Sequence, residues 1–527
     1  MRCLTVFGLL LTLSFCLSES ESYRILGLFP LPSKSHMVMF EALMKGLAEK
    51  GHQVDVLSHF LQEKPIPRYK DISVRGTVPI YVNNYSIPFI QERLRSYSRV
   101  LEFIFVDAGT GICRNVLHSP TVRELKNTKK KYDLIIAEIF GTDCFLGFAH
   151  LFKIPVIGIT SSVAVPWGND RIVNPDNPSY IPNYLMHSSS RMNLIDRLTN
   201  TLSLIGAKLG YEIVSHRPSD TLAREFFGSD LPDINDLARN TSLVLVNSHF
   251  SVSSARPTVT NFIEVGGLHI KPPNPLPKHL DEVLDIGSQY KGVIYLSMGS
   301  MALTETFSLD KLQAFLNAFR DLPFKIVWKA NGERMPKDLN IPLNIHFEQW
   351  LPQKDILCHP NVKLFITHGG MLGSQEAVYC GVPRLGIPLF ADQELNLIGA
   401  ESLDLAIMIK YEDLTENKIR DALKLLLFDN RYKESTERIS RIFKDRPLSP
   451  VDTAIYWVEY VIQHQGAFHL RSVGADLPWY QYYLVDVGII IFVILLLSTI
   501  ISYYLSYILK KILCVFKRKR LTKEKSN

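Results

Sequence analysis

Read along the chain, short apolar runs bounded by turn-forming residues alternate with longer segments whose apolar positions recur every three or four residues. Tyr23 to Phe29 is an extended apolar run. Met37, Phe40, Met44 and Leu47 then fall on one helical face, and Gly51 supplies a left-handed residue to end a helix over Met37 to Lys50. Val54 to Leu57 follows as a second strand, completing a strand-helix-strand unit. Leu134 to Ala137 and Val156 to Thr160 are further buried strands, with a helix starting near Asp143 between them. Short strands alternating with helices predict a parallel sheet.

Pro272, Pro273, Pro275 and Pro277 make Leu268 to Pro277 poor helix and poor strand, so this stretch reads as a semi-rigid linker and marks a domain boundary. Beyond it the alternation restarts: Val293 to Ser297, a helix over Leu309 to Phe319, Lys325 to Lys329, Ile345 to Phe347, Leu364 to Thr367 and Leu385 to Ile387. The expectation is an α/β protein with two Rossmann-like domains, residues 23–266 and 288–465, joined by a linker over 267–287. The helix Val451 to Gln463 is expected to cross back to the first domain.

The two ends break this pattern. Arg2 precedes an apolar run from Cys3 to Leu17 and small residues near Ser18 and Ser20, the layout of a signal peptide over residues 1–22. Val487 to Leu509 contains no charge, and at about 1.5 Å per residue it spans a bilayer core of roughly 30 Å. Trp479, Tyr480, Tyr482 and Tyr483 flank it on one side, after a juxtamembrane segment over 466–486; Lys510, Lys511 and Lys517 to Arg520 flank it on the other. Aromatic belt and positive-inside charge agree. The expected topology is single-pass type I, anchored in membrane lipid through 487–509, with the folded domains lumenal and residues 510–527 as a basic cytosolic tail. Lys523 and Lys525, near the chain end, resemble a dilysine signal that returns membrane proteins to the endoplasmic reticulum. Asn84-Tyr85-Ser86 and Asn240-Thr241-Ser242 are glycosylation sequons in the lumenal part.

Composition adds two exclusions. The 527 residues are 46% hydrophobic and 21% charged, which fits packed cores rather than a disordered chain. Of the net charge of +6, the tail 510–527, with eight Lys or Arg against one Glu, supplies +7. The folded part is therefore near neutral, and nucleic acid is set aside as a partner. Cys113, Cys144, Cys358 and Cys380 are the lumenal cysteines; their spacing gives no pairing, no structural zinc is expected, and no metal site.

The chemistry concentrates between Trp350 and Gln393. Thr367-His368-Gly369-Gly370 joins a strand to a helix near Gly373 to Tyr379, at the carboxyl edge of a parallel sheet where ligands bind. Glycines admit a phosphate close to backbone N–H groups, the helix N-terminus adds positive potential, and His368 adds a donor. Trp350, Pro352, Gln353, His359, Pro360, His368, Gly370, Glu376, Gly381, Pro383, Asp392 and Gln393 together resemble the 44-residue donor-sugar signature of UDP-glycosyltransferases. The resemblance extends from the loop holding His36, through Gly266-Gly267-Leu268 and Ser297-Met298-Gly299-Ser300, to the membrane helix and lysine tail. It is similar to the microsomal, UDP-glucuronosyltransferase-like animal type, nearest its invertebrate branch.

The resemblance implies the GT-B architecture, an acceptor on the first domain, and UDP-sugar on the second as co-substrate with no further cofactor. By position, Trp350 would stack on uracil and Gln353 would bond its edge. Glu376 would hold the ribose; Ser300, His368 and Gly370 the pyrophosphate; Asp392 and Gln393 the sugar hydroxyls. Leu372 departs from the pattern, standing where many members have Asn. His36 would be the catalytic base, its place before a helix favouring the neutral ring. A carboxylate must orient it, and Asp143 is preferred over Glu138. The absence of any Asp-x-Asp argues against a metal-bridged diphosphate. The expected reaction is inverting transfer of a hexose, glucose before glucuronate, to a hydroxyl of a small lipophilic acceptor. A non-catalytic UDP-sugar-binding protein would have shed His36 or the Asp392-Gln393 pair, and an epimerase would need no anchor. Assembly with further copies of the chain is left open.

Overall fold

The computed structural model describes residues 22–524, so the expected signal peptide, apart from Ser22, and the last three residues lie outside the described part. Two compact units are present, residues up to Arg471 and Ser472 onward.

In the first unit, the strands β1 (Arg24–Leu28), β2 (Gln53–Ser58) and β3 (Tyr69–Ser73) are followed by a two-residue strand β4 (Tyr85–Ser86). Then come β5 (Leu134–Glu138), β6 (Val156–Thr160), β7 (Leu243–Val246) and β8 (Phe262–Glu264). Apart from β4, these form one seven-stranded sheet in the order β3-β2-β1-β5-β6-β7-β8, every pair parallel. The helix Lys34–Lys50 ends where expected: Gly51, at φ 113°, donates its N–H to the Ala48 and Leu47 carbonyls.

The second half repeats the plan with β9 (Val293–Ser297), β11 (Lys325–Lys329), β12 (Ile345–Glu348), β13 (Val362–Thr367), β14 (Arg384–Gly386) and β15 (Ala406–Met408). Their order is β12-β11-β9-β13-β14-β15, again all parallel. In each sheet the order reverses beside the first strand, between β1 and β5 and between β9 and β13. These are the two switch points at which open α/β sheets bind ligands.

Three features cut across the domain limits expected from sequence. Lys278–Leu284, inside the expected linker, is a helix whose Leu280 and Leu284 join a core of the second half. Ile87, Ile90 and Leu94 of the first half are buried in the main core of the second. Nearby, β4 pairs in parallel with β10 (Ala302–Leu303), stitching the halves together. In return, the helix Pro450–Gln463 inserts Ala454, Ile455, Val458 and Val461 into the core of the first sheet, and Glu459 meets His52 at 3.1 Å. A Cβ on Gly46 would stand 2.7 Å from Val451, so the glycine is what lets this helix approach.

Cys113, Cys144, Cys358 and Cys380 form two pairs, Cys113–Cys144 and Cys358–Cys380. The helix Leu194–Gly210, not foreseen from sequence, buries few residues and exposes Leu194, Leu198, Leu202, Ile205 and Leu209.

In the second unit, Val485–Glu524 is one continuous helix of 40 residues, longer than the expected span because it runs on into the basic segment. It is long and apolar enough to cross a membrane. Trp479–Tyr482 forms a short helix before it, with exposed aromatic side chains.

Candidate active site

The two switch points face one cavity of about 420 Å³. It collects His36, Ser300, Trp350, Gln353, His368, Gly370, Glu376, Asp392 and Gln393. Neither Asp143 nor Glu138 is among its lining residues.

On the first side, Ser33 caps the helix Lys34–Lys50 in an extended conformation, so His36 lies in the first helical turn rather than in the preceding loop. Glu138 is the last residue of β5, the strand beside β1. The switch point thus brings together two residues 102 positions apart, and His36 Nδ1 lies 2.6 Å from Glu138 Oε1. A carboxylate only accepts, so Nδ1 is the donor, and in the neutral ring this tautomer puts the lone pair on Nε2. Phe140 packs edge-on against the imidazole at 5.0 Å.

The preference for Asp143 is therefore corrected in favour of Glu138. Asp143 sits one turn beyond the strand end, in the segment tied down by Cys113–Cys144. Its carboxylate pairs with the buried Arg171 and accepts a 2.7 Å hydrogen bond from Tyr211. It is the counter-ion of a buried guanidinium, with no reach left for His36.

On the second side, Gly369 (φ 87°) and Gly370 turn β13 into the helix Met371–Cys380, whose N-terminal N–H groups open on the cavity. The ring of His368 fills the space between two glycines. A Cβ on Gly299 or on Gly370 would stand 2.7 or 2.6 Å from it. Burial, with Lys329 nearby, pushes His368 down to about 4, so it is a neutral donor rather than a charge.

Lys329, at the end of β11, was not singled out in the sequence. The available signal was a lysine at the carboxyl end of a strand beside the switch point. Its ammonium donates to the Gly299 carbonyl at 2.7 Å and to Asn83 at 2.9 Å, and lies 5.2 Å from the ring of Trp350. Burial pushes it down to about 8. The Trp350 ring itself is half exposed on the cavity.

Gln353 and Glu376, expected to hold separate parts of a nucleoside, hold each other: Gln353 Nε2 donates to Glu376 Oε2 at 2.7 Å. Burial pushes the Glu376 carboxyl up to about 7, against the lowering effect of that hydrogen bond. Behind it lies the buried His269, 3.6 Å from Glu376 Oε1, a second residue the sequence did not mark. Asp392 accepts from Asn396 at 2.9 Å, and burial raises its carboxyl. Gln393 uses its carbonyl oxygen to hold the backbone N–H groups of Leu389 and Phe390 at 2.8 and 3.0 Å, which leaves its amide NH₂ for a ligand.

Among the described residues, no group of three or more His, Cys, Asp or Glu converges to hold a metal ion. Both sequon asparagines, Asn84 and Asn240, are exposed.

Residues 30–521 match the family model described as "UDP-glucoronosyl and UDP-glucosyl transferase". The UDP-glycosyltransferase UGT5 of Dactylopius coccus is 39% identical over 511 residues, 97% of this chain and 96% of that protein. UDP-glucosyltransferase 2 of the same insect is 40% identical over 478 residues, 90% of each chain. UDP-glucuronosyltransferase 2B14 of Oryctolagus cuniculus is 30% identical over 502 residues, 92% of each. The solved glycotransferase of kitacinnamycin superposes with a TM-score of 0.54 at 17% identity, covering 83% of this chain and 99% of its own, which shows the shared fold.

Proposed function

This chain belongs to the UDP-glucuronosyl and UDP-glucosyl transferase family, and from that premise we propose how its cavity divides the work: the second half holds the donor and the first moves the proton. It is a UDP-sugar-dependent hexosyltransferase. The observation on which the division rests is His36, held by Glu138 at 2.6 Å and lining the same cavity as Gly370 of the glycine turn.

An acceptor hydroxyl hydrogen-bonds to His36 Nε2 and loses its proton there as its oxygen attacks the anomeric carbon. The bond from that carbon to the diphosphate oxygen breaks on the opposite face, so an α-linked donor gives a β-linked product. Glu138 fixes the ring through Nδ1–H and stabilises the imidazolium as it forms. The negative charge growing on UDP meets the N-terminus of Met371–Cys380, the Ser300 loop, Lys329 and a hydrogen bond from His368. Trp350 stacks on uracil, Gln353 and Glu376 exchange their mutual bond for uridine contacts, and Asp392 with the Gln393 amide binds sugar hydroxyls. Leu31, Tyr81, Leu94, Phe103 and Phe140 make the acceptor side apolar, which favours a small lipophilic acceptor. Glucose is the favoured sugar, since a relative named UDP-glucosyltransferase is 40% identical and one named UDP-glucuronosyltransferase is 30%.

Val485–Glu524 anchors the chain in a membrane, with the aromatic residues at Trp479–Tyr483 on the lumenal flank and the basic segment in the cytosol. The exposed apolar face of Leu194–Gly210 fits contact with lipid as well.

Membranes carrying the wild-type chain or His36→Ala, incubated with a simple phenol and either UDP-glucose or UDP-glucuronate, test this reading. Conjugate from UDP-glucose in the wild type alone supports donor and base together. Conjugate from UDP-glucuronate only overturns the sugar, and equal conjugate from His36→Ala overturns the base.

A further inference from the structure

A second cavity, of about 560 Å³, lies behind the helix Met371–Cys380 and is closed by both halves of the first unit. It shares only Met371 with the cavity described above. Its lining holds three arginines, Arg191, Arg256 and Arg384, a run of serines, and no Asp or Glu.

Arg384 opens β14 and is 2% exposed. A guanidinium so placed is ordinarily matched by a carboxylate or by a full set of carbonyls. Here its one hydrogen bond is a long one, from Nη1 to the Ser374 carbonyl at 3.5 Å, and its Nε has no partner. Burial alone, with no neighbouring charge, pushes it down to about 10. The Ser374 hydroxyl beside it is buried and unpartnered as well. Arg256 contributes a third unsatisfied group: its Nη2 is buried without a partner while the guanidinium lies 5.7 Å from the Phe262 ring, with Glu264 as its nearest acid. The contrast with Arg171 is direct, since that equally buried guanidinium is paired with Asp143.

We propose that this cavity is a second ligand site, taking a small molecule that bears a phosphate-type oxyanion seated between Arg384, Arg256 and the Ser374 hydroxyl. The donor set fits an oxyanion with several acceptor oxygens: two guanidinium forks, a hydroxyl, and further serines at 188–190 and 253–254. Residues 180–191 and 252–256 come from the first half and residues 371–405 from the second, so the occupant ties the halves together at a site that His36 does not line.

The test uses the full chain in detergent micelles with UDP at saturation, so that the donor site is filled, and inorganic phosphate as the probe against sodium chloride of matched ionic strength. Expected are saturable phosphate binding by equilibrium dialysis and a rise in thermal midpoint that chloride does not give. Arg384→Met is expected to weaken phosphate binding about tenfold or more, the size of one charge-assisted hydrogen bond, while UDP affinity stays unchanged. Without phosphate the same variant is expected to melt higher than wild type, because it removes a lone buried charge. If Arg384→Met does not fold, Arg256→Gln and Ser374→Ala decide the matter by the same readout. Phosphate binding no stronger than the chloride control, or equal in wild type and variants, overturns the proposal. Loss of UDP binding in Arg384→Met would also overturn it, by showing that the arginine serves the donor cavity.

Discussion

The two sheets use the same strand order and put opposite chemistry at its reversal. Between β1 and β5 the switch point presents two titratable side chains, His36 and Glu138, bonded to each other and walled by Phe140. Between β9 and β13 it presents backbone, a helix N-terminus and two glycines that leave room for one neutral histidine. On the function proposed above, one architecture serves as a proton-transfer site where side chains follow the strands, and as an anion cradle where glycines do. What differs is the residue type in the loops and first helical turns that follow the strands, not the fold.

If this contrast is right, damage to one switch point should leave the work of the other intact. The largest effect is expected for His36→Ala: kcat lower by about 10³-fold with UDP affinity unchanged by calorimetry. A comparable loss of UDP affinity would break the division. Glu138→Gln is expected to cost about 10²-fold in kcat, again without change in UDP binding. Asp143→Asn is the control, lowering the thermal midpoint by orphaning Arg171, a disruption of about 3–5 kcal/mol, while moving kcat far less than Glu138→Gln does. At the other switch point, Gly370→Ala should weaken UDP binding by about tenfold, as His368 is driven out of its place, the equivalent of roughly 1.4 kcal/mol.

The smallest effect concerns pH. Burial raises Glu376 to about 7, so the carboxylate proposed to accept ribose hydroxyls is present above that value and is lost as pH falls through it. Uridine, which lacks the titrating phosphate, should bind a few-fold more weakly at pH 6 than at pH 8. Glu376→Gln should flatten that profile. A profile unchanged in the variant would assign the titration to another group.

The strands at Val156 to Thr160, Val293 to Ser297 and Lys325 to Lys329 were legible residue by residue, because each is a short apolar run between clear breaks. β3 and β8 were not: one carries Lys70 and Asp71 at a sheet edge, and the other is only three residues long. That the residues expected to hold the donor line one cavity was foreseeable, because all but Ser300 sit within one 44-residue segment. The carboxylate that pairs with His36 was not, since Glu138 ends β5 and Asp143 follows it closely, and only the path of the chain there separates them. Lys329 escaped notice for a related reason: its role comes from Gly299, Asn83 and Trp350, all distant in sequence. The unpaired state of Arg384 is likewise invisible until its surroundings are known.

The helix Pro450–Gln463 belongs in space to the sheet that begins at Arg24. During synthesis, therefore, the first half cannot finish its interior when its own last strand leaves the ribosome at Glu264. It waits, with the face of Lys34–Lys50 around Gly46 uncovered, for nearly two hundred further residues, and the apolar helix at Val485 follows close behind. The last soluble piece to emerge closes the first piece made, so truncation anywhere before Gln463 is expected to leave not one intact domain but two unfinished ones.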